Sequence, residues 1–572
     1  MALKALRSPW ETLWQDIAKY VMPRRTPGLN GTVQTPGTGN DALLFDTTAV
    51  RANMTLANGQ LAWMSPLESA WFAFEPQPFQ DTDDARRWLA QATGIARNLL
   101  AVSNFYVAVH EFYLDRGAFG TACLYIEPGR RAALNTQVWP VGSYVVDENE
   151  DGIVDTVIRE FKLTARQAVQ KFGEANISDK LREAAKAGGS KAHERYDFLH
   201  AIYPREDAER DSQKLDAPNM PIASVYLEKQ GCRVCQVGGY EEMPVMVSRY
   251  LEWGSGMGSL YGWSPAFAAL PEARQVNFLQ KMMDALAEKM AFPPVLAPEA
   301  LEGEIDGNAM GVTYFSPDIA SSGSLPKEWM TQGHYDIGVQ RIQERQKAIN
   351  DAFHVDLFQM FAQLQKQMTA TEVQERAQEK LIQFSPTFAR LTAELFNPLL
   401  ERVFAVLLRM GKLGPLEGIP PALIQPLGNG RGFIAPPAVQ YASRIALALR
   451  SLPSLAYQRT LQRLGQTMSL NPGVLDNFDF DAAERQTSLT DGMPPEYIRP
   501  AAAVAQARQA RAAAQAQQQQ QAAAMQTAEA AGKLGAIKPG SPLGQAMQNP
   551  NVQQALQSQL SGASNGATLS GG

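Results

Sequence analysis

The chain has 572 residues, 45% of them hydrophobic and 19% charged, with a net charge of −6. That length supports several cores, and so mild a negative charge gives no support to a sequence-reading nucleic-acid binder, which needs a basic face for phosphates. Three cysteines, Cys123, Cys232 and Cys235, exclude a disulfide framework and favour a reducing compartment.

The opening "MALKALRSPWETLWQDIAKY" has no apolar block behind Lys4 and Arg7, so neither a secretory signal nor a spanning helix is expected. No later stretch is apolar for long enough to cross a bilayer. Trp10, Leu13, Trp14, Ile17 and Val21 predict an amphipathic helix over residues 8–22, stopped by Pro23. Residues 26–41 are rich in Gly, Pro, Thr and Asn and predict a loop. Asp46 is placed to cap a helix running to about Trp63. "WFAFEP" at 71–76 alternates as a strand does. Two helices follow, over about Asp83–Val102 and Ser103–Arg116. "GTACLYIEP" then turns to strand character, and 137–163 and 196–252 alternate apolar with polar residues. The first half therefore reads as a mixed α+β body.

Beyond "GSGMGSLYGWSP" at 254–265 the pattern becomes helical. Pro265–Ala291 predicts one helix, long enough to reach roughly 40 Å. Residues 292–334 form an irregular insert, and Tyr335–Phe353 a second helix dense in charge and amide. Thr369 and Glu372 have capping-box spacing, and Ser385-Pro386 has the form of a cap and first residue. Phe388, Leu391, Leu395, Leu399, Val403 and Leu407 keep one buried stripe, with Gly411 as its stop. Residues 412–437 predict a loop. Helices are expected over Ala438–Ser451, Leu455–Met468 and parts of 473–486. Past Pro500 the composition falls to Ala and Gln, helical or loose, and the last stretch reads as disordered.

Each motif with chemical promise fails on spacing. The glycine loop lacks the Gly-Lys-Ser/Thr of a phosphate loop, and no lysine follows until Lys281. It is better taken as a turn that re-aims the chain from sheet to helix. "DENEDG" at 147–152 begins like a calcium loop but has Ile158 where the twelfth position needs Glu, so a hairpin turn is expected. "CRVC" at 232–235 has no second ligand pair, and its cysteines are assigned to a strand. No nucleophile elbow and no zinc-protease motif occurs. No catalytic residue, cofactor or metal site is expected, which points to a structural role.

Six separated blocks in one order carry a resemblance: "ETLWQDIAKYVMPRR", "LFDTTAVRANMTLANGQLAWMSP", "WFAFEP", "SNFYVAVHEFYLDRGAFGTACLYIEP", "YGWSPAFAALPEARQVNFLQKMMDALAEKMAFPPV" and "MTATEVQERAQEKLIQFSPTFARLTAELFNPLLERVF". Over about residues 8–450 the chain resembles the head-to-tail connector (portal) proteins of short-tailed bacteriophages. The resemblance implies an α+β, mainly helical subunit that assembles, usually as twelve copies, into a ring at one capsid vertex. Viral DNA would be packaged and ejected through it. It implies a wing (1–263), stem helices (264–291 and 335–353), a clip (292–334), a channel loop (354–368), further wing helices (369–411), a crown (412–500) and a tail (501–572). Gly254, Gly256, Gly258 and Gly262 would make the wing-to-stem bend. Gln359, Gln363, Gln365, Lys366 and Gln367 would face DNA in the channel, unless Phe358, Met360 and Phe361 pack between subunits instead. Arg341, Glu344, Arg345 and Lys347 would pair between neighbouring subunits or form a solvated face. Implied partners are duplex viral DNA bound without sequence specificity, the major capsid and scaffolding proteins, the terminase motor, and tail or adaptor proteins, with no membrane. The implied place is the head–tail junction of the virion, and the host cytoplasm during assembly. Another phage neck or tail ring protein, or a nucleotide-using packaging enzyme, are the alternatives.

Overall fold

The computed structural model describes residues 2–23, 25, 44–129, 132–211, 214, 216–252, 260–291, 295–296, 327–328, 335–363, 384–414, 418–427, 431–442, 457, 460–465, 472–490, 493, 497–499, 501–535, 549–551 and 554. The chain divides into two units, Met1–Gly492 and Met493–Gly572.

In the first unit the helices α1 (Ala2–Val21), α2 (Thr48–Met64), α3 (Asp83–Val102) and α4 (Phe105–Phe119) come first. α1 starts six residues earlier than the apolar spacing indicates and takes Pro9 into its body. Arg7 explains the extension. It is buried and donates through Nη1 to the Tyr144 carbonyl at 2.7 Å, which holds the added turns against the sheet. Asp46 caps from two residues ahead of the start of α2, one before the formal N-cap Thr47, accepting from Thr48 N at 2.8 Å. Thr82 caps α3 through its side chain.

After strand β1 (Phe72–Glu75), strands β2 (Thr121–Pro128), β3 (Leu134–Trp139) and β9 (Val245–Arg249) form an antiparallel sheet in the order β3-β2-β9. A second antiparallel sheet runs β4-β5-β6-β7-β8: Tyr144–Glu148, Val154–Thr164, Arg195–Pro204, Ile222–Glu228 and Arg233–Tyr240. "DENEDG" is the β4–β5 turn, closed by Asn149 N to the Ile153 carbonyl at 2.9 Å, with Gly152 at φ 74°. Cys235 is a buried β8 residue, but Cys232 is not in a strand. It is exposed in the β7–β8 turn at φ 49°. Between β5 and β6 lie three helices the alternation did not disclose: α5 (Ala165–Phe172), α6 (Asp179–Ala187) and α7 (Gly189–Ala192). The signal was present, since Thr164 and Gln167 form a capping box.

Helix α8 (Pro265–Ala291) and a helix over Tyr335–Ala352 form an antiparallel hairpin, and Val295–Leu296 pairs with Lys327–Glu328 beyond it. Helical structure resumes at 384, one residue before the anticipated cap, and continues through a π turn at Thr392–Phe396 to Asn397–Arg409. Leu391, Leu395, Leu399, Val403 and Leu407 are all fully buried there. Each contributes about 1.5–3 kcal/mol relative to exposure. Residues 412–437, expected as loop, contain the strand pair Ile424–Leu427 and Arg431–Ile434. The helix expected from Ala438 is instead a strand, Ala438–Tyr441, antiparallel to Phe72–Glu75. The free edge of Phe72–Glu75 supplies backbone partners, Tyr441 lies beside Phe396, and Val439 and Tyr441 are residues that strands favour.

One large core joins α1–α4, the three-stranded sheet, α8 and the 384–409 helix. A smaller core lies where α5 and α6 cover part of the five-stranded sheet. The second unit contains the helix Ala501–Gly535. No described helix is long and apolar enough to cross a membrane.

Candidate functional site

The helical hairpin is closed by a row of apolar side chains along its inner seam. Val276 and Met283 of α8 are buried against Ile342 and Ile349 of its partner, with Leu279, Leu286 and Val339 alongside. Gly338 lets the helices close up, because a methyl group there would run into Met283 Sδ. The opposite surfaces are open. Phe278, Met282, Met290 and Ile337 are 60%, 44%, 56% and 54% exposed.

Charge along the hairpin is balanced within each helix. α8 carries Arg274, Lys281 and Lys289 against Glu272, Asp284 and Glu288; its partner carries Arg341, Arg345 and Lys347 against Asp336, Glu344 and Asp351. Both are therefore neutral. Some charges are already engaged within the chain. Arg345 pairs with Glu272, Arg274 lies 2.6 Å from Asp16, and Gln340 Nε2 donates to Glu344 at 3.3 Å. Arg341, Glu344 and Lys347 are exposed.

The base of the hairpin is held by backbone and by buried charge. Of the four glycines expected to make a bend, Gly254, Gly256 and Gly258 lie outside the described residues. Gly262 faces Gly120, and a Cβ on either would strike the other's carbonyl. Gly120 also has φ 75°, ending α4 in the left-handed region. Gly262 N donates to Thr121 Oγ1 and Ser264 Oγ to the Ala118 carbonyl, each at 2.8 Å.

Arg249, whose side chain is 4% exposed, meets Glu148 at 2.9 Å, Glu394 at 3.0 Å and Glu252 at 3.4 Å. Its Nη2 also donates to the Gly152 carbonyl at 2.8 Å. Arg390 bridges Glu252 at 2.7 Å and Glu394 at 3.0 Å. Burial lowers the Arg249 pKa, but the carboxylates, Glu394 foremost, carry it above the ordinary value. The π turn sets Glu394 where it also accepts from Arg249 N, at 2.6 Å. This cluster fixes the strand end from which the chain leaves towards α8. Sequence reasoning missed it, because its members span residues 148–394 with no spacing that links them.

The segment assigned as a channel loop begins as a helix, Val355–Gln363. His354 precedes it at φ 54°. Phe358 is buried within its own chain, against Gly59 and edge-on to Phe384 at 5.9 Å. Gln359 is exposed and Gln363 is the last helical residue. Gln365, Lys366 and Gln367 lie outside the described residues, as does the capping box at Thr369.

The chain matches the family described as bacteriophage head to tail connecting protein over residues 1–498. It is 30% identical over 515 residues to the portal protein of Salmonella phage epsilon15, with 89% of each chain covered. It is 31% identical over 517 residues to the probable portal protein of Bordetella phage BPP-1, again covering 89% of each. A chain from the virion of a native gene transfer agent particle superposes loosely, at a TM-score of 0.32 and 14% identity over 80% of this chain and 92% of that one. With its neutral helical hairpin on an α+β body, and with relatives of this identity along most of its length, the chain belongs to the bacteriophage head-to-tail connecting, or portal, protein family.

Proposed function

We propose that copies of this chain close into a ring at one capsid vertex, and that the α8 hairpins line the passage through which duplex DNA enters and leaves. The charge balance of the hairpin carries this reading. A passage must let DNA slide, and each cation that neutralises a phosphate adds binding through counterion release. A wall whose every helix is neutral, with apolar and amide groups exposed, offers little to grip. The exposed Arg341, Glu344 and Lys347 are placed to pair with a neighbouring copy. Gln359 and Gln363 stand at the channel-side helix that follows. The region between the hairpin helices, 292–334, would dock the packaging motor and then the tail. The role is structural and non-enzymatic, as in the family.

Electron microscopy of the purified chain tests the proposal. The expected images are rings, twelve-fold by the family plan, with a central hole of roughly 20–40 Å, room for a duplex to pass. A monodisperse monomer with no ring in any particle would overturn it.

A further inference from the structure

The five-stranded sheet has two unlike faces. One carries Phe198, His200, Ile202, Ser224 and Tyr226, none more than 6% exposed, under α5, α6 and the three-stranded sheet. The register sets two largely apolar rows on the other face: Ile158, Ala201, Val225 and Val237 across four strands, then Leu199, Leu227 and Val234 one pair along, with Glu160 opposite Leu199 at the β5 end of that second row. Val237 and Val234 are 51% and 49% exposed, and the rest are half-buried. Among the described residues none of these seven belongs to either core or packs against one. An antiparallel sheet with one covered face ordinarily turns polar residues outwards. Here the middle of the outward face is apolar and charged residues are confined to its margin, the pattern of an interaction surface.

Size and charge say what fits. Strand and residue spacings give a patch on the order of 300 Å², against about 800 Å² per partner in a stable subunit interface. That is too small for a whole second copy and suits one helix about 10 Å wide. The rim is polarised. Beyond the Leu199 row stand Lys162, Asp197 and Lys229, with Lys4 reaching in; Glu160, within that row, pairs with Lys4 and Lys229, and Asp197 with Lys162. At the other end, the described residues of the Arg205–Asp216 loop carry five carboxylates and three cations.

We propose that this face seats one amphipathic helix from a different protein. Its apolar stripe lies on the two rows, its acidic end over Lys162 and Lys229, and its basic end over the Arg205–Asp216 loop. The seat is independent of the channel assignment.

The test places a photo-crosslinking residue in the full chain, Val237→p-benzoylphenylalanine, and irradiates assembling particles in infected cells. Crosslinked peptides are sequenced by mass spectrometry. The expected product joins position 237 to a segment of another protein with apolar residues at helical spacing and charge of the stated polarity. Adding Val234→Asp should cut the yield roughly tenfold by setting a charge in an apolar seat, with circular dichroism and melting unchanged. Val234→Thr gives a milder loss and serves if the aspartate disturbs folding. Crosslinks to another copy of this chain, to an extended segment, or to nothing would each overturn the proposal.

Discussion

At Arg249 one buried guanidinium ties the end of β9, the β4–β5 turn and the π turn together, and its partners Glu252 and Glu394 are shared with Arg390. Such a group is costly to bury and worth keeping only when all its partners are present, so its value lies in fixing one geometry at the root of the hairpin. Asp115 on α4 behaves differently. It is fully buried 3.2 Å from Arg25. Burial pushes its carboxyl up to about 6 from an ordinary 3.8, against the pull of Arg25. The folded chain then holds this proton more tightly than the unfolded chain. The stability it confers is full below pH 3.8 and is lost as pH rises through about 6, roughly 3 kcal/mol at about 1.4 per pKa unit. Asp115→Asn removes the titration. Thermal melts should show the variant gaining on the wild type from about pH 4 to about pH 6.5 and then holding level. A difference independent of pH would contradict this. None of it was legible beforehand, because nothing in the sequence announces the burial of Asp115 or its meeting with Arg25.

Among the elements, α8 and its partner were legible almost to the residue. Their boundaries rest on Pro265, on the charge and amide content of Tyr335–Ala352, and on the Gly- and Pro-rich insert between them. What the sequence did not disclose is which side chains face inward, and so which charges remain free: Arg345 is engaged by Glu272 of the same chain. Neutrality makes a prediction that belongs to the hairpin as a whole. Asp284→Lys with Glu288→Lys makes α8 cationic on its exposed side. Purified wild-type assemblies should retain duplex DNA weakly and with little salt dependence in gel-shift titrations. The double variant should retain it strongly between about 50 and 200 mM salt, with a log–log slope steeper by about 0.9 for each phosphate engaged. Equal retention by both would remove the case for a non-gripping wall. The strand at Ala438–Tyr441 shows the opposite limit. A helix is expected to start there, but Val439 and Tyr441 suit a strand and the open edge of Phe72–Glu75, remote in the chain, supplies the partner.

For the whole molecule, the division at Gly492 separates a body with two cores from a unit containing the Ala- and Gln-rich helix Ala501–Gly535. A chain ending at Gly492 should therefore melt within about 2 °C of the full chain, since no described residue beyond Gly492 belongs to a buried core. A large fall in its calorimetric midpoint would show that the body draws stability from the remainder. Taken alone, the sequence determined the helical periodicities, the hairpin, the strand-rich first half and the absence of any phosphate-loop or metal spacing. Those are local patterns, set by residues a few positions apart. The tertiary structure alone decided the sheet orders, the Arg249 cluster, the mutual contact of Gly120 and Gly262, and the apolar face left open on the five-stranded sheet. Each of these depends on residues far apart in the chain meeting across a core, and short-range periodicity carries no record of that.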